Sequence, residues 1–242
     1  MVEIGLDMGE RTLIIIPAYN EEEGLPGVIS KTKETSPDVD IIVIDDGSRD
    51  GTSQRAADLG IEVIRHPYNL GYGAALQTGF RVALKDGYDL VITMDGDGQH
   101  DPLSIPTLIK THKETGANVV IGSRFLEGSY RMELPRKIGS WIFSKIARLY
   151  TGTRFTDPTS GFQLLDQKAF SYLATDADYP LDYPDVNIIM LLHKRNFTIV
   201  EAPVRMLENR SGRSMHRGMR PFIYVIRMLL AIVMVLIRKE EE

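Results

Sequence analysis

Cysteine is absent from this chain of 242 residues, which excludes a disulfide framework and a thiolate-ligated metal site. Positive charge is not in surplus either: 28 Lys and Arg against 33 Asp and Glu leave a formal net charge of −5, with a pI near 5.6. A general nucleic-acid binder would carry a basic footprint, so no nucleic-acid partner is expected and any phosphate must be met by local charge. No Walker loop is present. The glycine-rich turn of a dinucleotide-binding fold is missing too: Pro17-Ala18-Tyr19-Asn20-Glu21 stands where it would fall, and Gly71-Tyr72-Gly73 lacks the third glycine or alanine. A hydride-transfer enzyme is therefore not expected. The opening stretch, MVEIGLDMGERT, has no apolar run behind a basic start and does not read as a secretory signal, so the body of the protein is expected in the cytosol. Internal repeats and low-complexity stretches are lacking as well.

Short apolar runs are present at Leu13 to Ile16, Ile41 to Ile44, Leu90 to Ile92 and Val119 to Ile121, each followed by polar residues, Gly or Pro. Such runs suit strands buried on both faces. Between them, Leu25, Val28, Ile29 and Thr32 are spaced as one helix face and Leu76, Phe80, Ala83 and Leu84 as another. A further strand is expected at Ile61 to Arg65. Alternation of strand and helix predicts an α/β fold with a mostly parallel central sheet flanked by helices. From about Leu126 the pattern loosens, with helices predicted over Arg136 to Tyr150 and Val186 to Lys194 and a strand over Phe197 to Val204.

Length and pattern predict one domain over 1–220 and an apolar tail over 221–242. Pro221 to Ile237 is almost unbroken in apolar character, interrupted by Arg227 and closed by Arg238 and Lys239. A helix there would be roughly 25 Å long, marginal against the ~20 residues of a spanning helix. A helix lying on a membrane or packing on a partner such as a second copy is expected, with an ordinary core helix as the alternative.

In open α/β sheets ligands bind beyond the carboxyl ends of the strands. The predicted strand ends carry Glu21, then Asp45 and Asp46, then Asp95 and Asp97. Any one of these could be a turn former. Carboxylates converging on one place would repel each other and raise their pKa values unless a cation were present. Asp95 and Asp97, separated by Gly96 and followed by Gly98, can face one hard cation, and Gln99 can add a neutral oxygen. Mg2+ or Mn2+ is the expected ion.

The ordered runs IIIPAYNEEEGL, VIDDGSRDGT, NLGYGAALQTGF, MDGDGQHDP, GSRF and DPTSGF resemble the family 2 glycosyltransferases, in particular the branch of dolichyl-phosphate mannose synthases and polyprenyl-phosphate glycosyltransferases. The likeness covers roughly 12–220. It implies a GT-A type fold, a GDP- or UDP-sugar donor, inversion at the anomeric carbon and a metal held by Asp95, Asp97 and Gln99. By the same resemblance Pro17, Tyr19, Glu21, Asp45 and Asp46 match donor-binding positions, and Asn20, Ser48, Gly71 and Asp95 go with that set. Arg124 and Arg136 match basic residues near the phosphates, and Asp157, Ser160 and Gly161 match an acceptor-side loop. Arg210, Arg213 and Ser214, in ENRSGRSMHRG, fit approximately a segment that covers the site.

That segment also has physical content. Arg205, Arg210, Arg213, Arg217 and Arg220, with His216, surround the single acid Glu208 just before the apolar tail. A basic patch beside an interfacial helix attracts anionic headgroups or a lipid phosphate. The expected reaction is direct displacement by a polyprenyl (dolichyl or undecaprenyl) phosphate oxygen, already ionised at neutral pH, at the cytoplasmic face of a membrane to which the protein is peripherally bound. The alternative is a hydroxyl acceptor in surface polysaccharide or glycolipid synthesis, which needs a general base. Asp185 is the candidate, with Asp157 and Asp182 in reserve. A non-catalytic nucleotide-sugar-binding module is disfavoured because Asp95 and Asp97 are both retained.

Overall fold

The computed structural model describes residues 9–126, 134–177, 179–181, 184–207 and 220–237, without the side chains of 134–140, 220–227 and 229. Strands β1 (Thr12–Ala18), β2 (Asp40–Asp45), β3 (Glu62–Arg65) and β4 (Leu90–Thr93) alternate with helices α1 (Leu25–Thr35), α2 (Thr52–Asp58) and α3 (Tyr72–Lys85). A short 3-10 turn at Pro102–Ser104 leads into α4 (Ile105–Thr115) and β5 (Val119–Ser123). Then follow α5 (Leu134–Thr151), β6 (Gln163–Asp166), α6 (Gln167–Thr175), α7 (Val186–Lys194), β7 (Ile199–Pro203) and α8 (Arg220–Ile237).

All strands join one sheet of order β3-β2-β1-β4-β6-β5-β7. Every pairing is parallel except those of β6, which runs antiparallel to both β4 and β5. This is the expected mostly parallel α/β architecture of GT-A type. The apolar runs are buried on both faces because successive side chains point oppositely: Leu13 and Ile15 join the core under α3, α6 and α7, while Ile14 and Ile16 join the core under α1 and α4.

The elements β6, α6 and α4 escape the sequence pattern, and one residue of α3 departs from it. β6 has only two apolar residues, Leu164 and Leu165, too few for a visible run, and Asp166 at once caps α6 by accepting from the Ala169 amide at 2.8 Å. α4 buries just Ile105, Leu108 and Ile109. Leu84, assigned to the buried stripe of α3, is 37% exposed, while Ala83 beside it is wholly buried and closes the stripe.

Helix α8 is core on one face and open on the other. Met228, Ile232 and Val235 are buried in the same cluster as α7, whereas Leu230, Val233, Met234, Leu236 and Ile237 are exposed. The first set recurs at four and three residues, the stripe that a helix turns toward a neighbour.

Candidate active site

At the carboxyl ends of β1 and β2 the chain binds its own polar groups. The Asn20 amide donates to the Ser48 hydroxyl (2.9 Å), the Glu21 amide to the Thr52 hydroxyl (2.9 Å), and the Arg49 amide to Asn20 Oδ1 (2.8 Å). These bonds join the two strand ends into one wall. Pro17 is buried in it, while Tyr19, 42% exposed, stands at its rim. Asp45 is wholly buried, accepting from the Ser48 amide at 2.8 Å and from the Ser53 hydroxyl, with the Arg65 guanidinium 3.6 Å away. Asp46 is buried as well and holds three donors: the Leu70 amide (2.8 Å), the Gly71 amide (2.9 Å) and His66 Nδ1 (2.8 Å). The loop that launches α3 is thus pinned to β2.

The loop after β4 differs. Asp95 and Asp97 lie on it as the sequence places them, and the Asp95 side chain keeps a third of its surface open. Asp97 accepts from the Gln99 amide at 2.9 Å and from the Gln99 side-chain amide. His100 is buried and stacks on Phe162 with ring centroids 5.0 Å apart. Its Nδ1 accepts from the Asp95 amide at 3.0 Å, which puts the ring proton on Nε2, 3.6 Å from Asp95 Oδ2. Asp101 faces away, paired with Lys31 at 2.7 Å. Outside the loop runs the segment 205–207: the Leu207 amide donates to Gln99 O (2.8 Å) and the Arg205 amide to the Ser104 hydroxyl (3.0 Å).

The facing wall comes from the second half of the chain. The Thr93 hydroxyl donates to Gly161 O at 2.7 Å, fixing the Ser160-Gly161 turn over the end of β4. A Cβ at position 161 would stand 3.3 Å from both Asp95 carboxylate oxygens, so a bare glycine leaves that carboxylate room. Tyr72, the first residue of α3, donates its hydroxyl to Asp95 Oδ1 at 2.8 Å. Burial first, then the charge of Asp95, push the Tyr72 pKa well above its ordinary value, and Asp185 adds to the effect. The Asp185 carboxylate also raises that of Tyr179, again after burial. Asp185 begins α7 but makes no side-chain cap to it. Its approach is set by the preceding loop, whose Leu181 carbonyl accepts from the Ala74 amide at 3.1 Å; a Cβ on Gly73 would meet Pro180 O at 2.1 Å.

Arg124 and Asp157 form a forked pair, Nε to Oδ2 and Nη2 to Oδ1 both at 2.6 Å, and Asp157 is fully buried. Both oxygens of Asp157 are engaged, so it cannot serve as a free base. Glu201 on β7 closes this arrangement by accepting from the Thr156 amide (2.8 Å), the Thr156 hydroxyl (2.9 Å) and the Asp157 amide (2.7 Å). Burial raises the Glu201 pKa against the lowering effect of those bonds.

The site residues of the first half therefore meet around the ends of β1, β2 and β4, joined by the Ser160-Gly161 turn and Asp185 from the second, while Arg124 is paired with Asp157 behind that turn. Arg210, Arg213, Ser214 and Asp182 lie outside the described residues, and Arg136 lies in α5 without a described side chain. Residues that sequence reasoning passed over are Tyr72, His66, His100, Thr93 and Glu201. Tyr72 and His100 stand inside quoted motifs, but a tyrosine or histidine in a loop gives no sign of which carboxylate it will touch.

The mostly parallel sheet flanked by helices is that of a glycosyltransferase of GT-A type. The Glycosyl transferase family 2 model matches residues 13–173, and the chain belongs to that family. It is 33% identical over 216 residues to the undecaprenyl-phosphate mannosyltransferase of Micrococcus luteus, covering 86% of this chain and 88% of the relative. Polyprenol monophosphomannose synthase of Mycolicibacterium smegmatis is 31% identical over 221 residues, with 86% and 82% covered. Both fall in the branch to which the motifs point. Among solved structures, glucosyl-3-phosphoglycerate synthase of Mycobacterium tuberculosis with Mn2+ and UDP-glucose superposes with a TM-score of 0.70 at 21% identity, covering 94% of this chain and 79% of that one. This likeness is one of fold.

Proposed function

We propose that the protein transfers a sugar, with inversion, from a GDP- or UDP-sugar to a polyprenyl phosphate. The observation that carries the reading is the open Asp95-Asp97 loop at the end of β4, faced by the Ser160-Gly161 turn, in a chain more than 30% identical to two polyprenyl-phosphate mannosyltransferases over most of its length. Those names favour a mannosyl donor. A relative from Methanococcus voltae, 29% identical, is a UDP-N-acetylglucosamine–dolichyl-phosphate transferase, so the sugar is a matter for assay.

The donor set suits a divalent ion. Asp95, Asp97 and Gln99 offer hard oxygens, and among the described residues no group of three or more His, Asp or Glu closes a cage. Mg2+ favours such sites, with one or two carboxylates and substrate phosphates completing the shell. When bound, the ion would neutralise charge on the departing nucleoside diphosphate. The walls of β1 and β2 position the nucleoside, with Tyr19 at the rim for the base and Glu21 for the ribose. Arg124, held flat by Asp157, presents its charge toward the phosphates. A phosphate acceptor needs no base, so positioning and charge compensation would supply most of the acceleration.

A hydroxyl acceptor is the second reading, and one observation favours it: the Asp185 carboxylate, at the start of α7, acts on Tyr72 beside Asp95. The exposed side of α8, with Leu230, Val233 and Ile237, is the membrane-facing surface, and attachment is peripheral, on the cytoplasmic leaflet. Among the described residues no helix is long and apolar enough to cross a membrane. Since Met228, Ile232 and Val235 belong to the core, the face is tested by charging Leu230 and Val233 and not by deleting the helix. Co-sedimentation with anionic liposomes should fall; unchanged pelleting would point to a second copy or another partner on this face. For the reaction, GDP- and UDP-sugars are incubated with polyprenyl phosphate with and without a chelator. Glycolipid formed only with metal is expected, and product only on hydroxyl acceptors would overturn the lipid-phosphate reading.

A further inference from the structure

Asp95 is restrained from three directions by parts of the chain that are far apart in sequence. Tyr72 donates to Oδ1 from the first turn of α3 at 2.8 Å. The backbone of Asp95 is tied to His100 by a 3.0 Å bond from its amide to Nδ1. Gly161 brings its bare Cα against both oxygens and is itself bound to β4 through Thr93 at 2.7 Å. A Cβ at 161 would lie 2.7 Å from the Tyr72 hydroxyl, closer than carbon and oxygen approach without displacement. The Tyr72 hydroxyl, the Asp95 carboxylate and any side chain at 161 would therefore compete for one small volume.

We infer that Tyr72 is a positioning residue for Asp95: its hydroxyl holds one carboxylate oxygen so that the other is presented to the donor, and Gly161 stays without a side chain so that this pair can close under the acceptor-side turn. A lone aspartate on a glycine-flanked loop samples several rotamers, and fixing one in advance removes that ordering from the free energy of binding. The hydroxyl is suited to the task because a hydrogen bond to an ionised acceptor is strong and directional. The turn that meets the acceptor and the carboxylate that meets the donor thereby share one contact, so a change on either side is felt on the other.

The inference rests on the donor reading above, and the test separates the two. Calorimetry measures binding of GDP and of UDP in the presence of Mn2+ to the intact chain, to Tyr72→Phe, to Gly161→Ala and to the double variant, with thermal unfolding alongside. Wild-type protein that binds neither nucleotide in the presence of metal removes the donor reading and this inference with it. If it binds, Tyr72→Phe is expected to weaken the metal-dependent affinity roughly 5- to 20-fold, as loss of one charge-assisted hydrogen bond does. Gly161→Ala should weaken it at least as much in the wild type, but less once the hydroxyl is gone, because the added methyl then loses its 2.7 Å clash and keeps only the 3.3 Å contacts with the Asp95 oxygens. Such non-additivity marks direct contact. Equal affinity in wild type and folded Tyr72→Phe, or strictly additive effects of the two substitutions, would overturn it. A lowered melting temperature with unchanged affinity would reduce Tyr72 to packing and overturn it equally.

Discussion

Two acidic pairs stand at the ends of neighbouring regions of the sheet, Asp45-Asp46 after β2 and Asp95 with Asp97 after β4, and they behave oppositely. The first pair is only 0% and 3% exposed and accepts from backbone amides, Ser53 and His66. The second lies on a loop whose Asp95 side chain stays a third open, with a bare glycine facing it. A carboxylate that accepts several buried donors is stabilised as an anion without any cation. Of the five acids at these strand ends, Asp45 and Asp46 thus accept the protein's own donors, whereas Asp95 and Asp97 lie on the loop proposed to hold the metal. On the proposed reading the β2 pair builds the wall for the nucleoside and the β4 pair is left for the ligand.

The contrast is most severely tested by Asp97→Ala. Turnover should fall by at least about 10³-fold while the melting temperature moves by no more than about 2 °C, because an open carboxylate contributes little to the core. Kinetics and thermal unfolding on the same preparation check this; full activity would end the metal-dependent mechanism.

Asp46→Ala should do the reverse in kind. Removing a buried acceptor leaves the Leu70 and Gly71 amides and His66 Nδ1 without a partner, a loss on the order of 3 kcal/mol, or about 6–12 °C in melting temperature for a chain of this size. If the variant melts like the wild type but no longer binds nucleotide by calorimetry, Asp46 is a donor ligand and the division between the two pairs fails.

A third acid lies between the extremes. Asp185→Asn should change kcat less than about fivefold with a polyprenyl phosphate acceptor, whereas loss of a general base would cost on the order of 10²-fold or more. A collapse in kcat with KM preserved would move the acceptor to a hydroxyl.

The smallest effect concerns Glu201. Its pKa is raised by burial, so the protonated form is favoured in the fold, and the associated stability is present below the ordinary glutamate value and lost as pH rises through the raised one. The melting temperature of wild type minus that of Glu201→Gln should accordingly be greater at pH 4 than at pH 7, by a few degrees at about 2–4 °C per kcal/mol. A difference that grows with pH would mean that the bonds from Thr156 and Asp157 outweigh burial.

What the sequence by itself determined is whatever local periodicity and ordered motifs carry. The apolar runs of β1, β2, β4 and β5, the stripes of α1 and α3 and the membership of Asp95 and Asp97 in a glycine-flanked loop are written in neighbouring residues, because strand and helix periods are local properties. The order of the runs from Pro17 to Gly161 likewise led to the family that the comparisons show. Tertiary structure decided the rest. Leu164 and Leu165 become a strand only because β4 and β5 flank them on both sides. Asp46 turns inward because the loop at Leu70 and Gly71 returns to it from 24 residues away, and Asp157 is consumed by Arg124 across 33. Helix α8 divides into a core face and an open face only where α7 lies against it. No local pattern encodes which distant donor will meet a given carboxylate, since that depends on packing geometry between elements; the chain names its acids, and the fold assigns each to the protein or to the ligand.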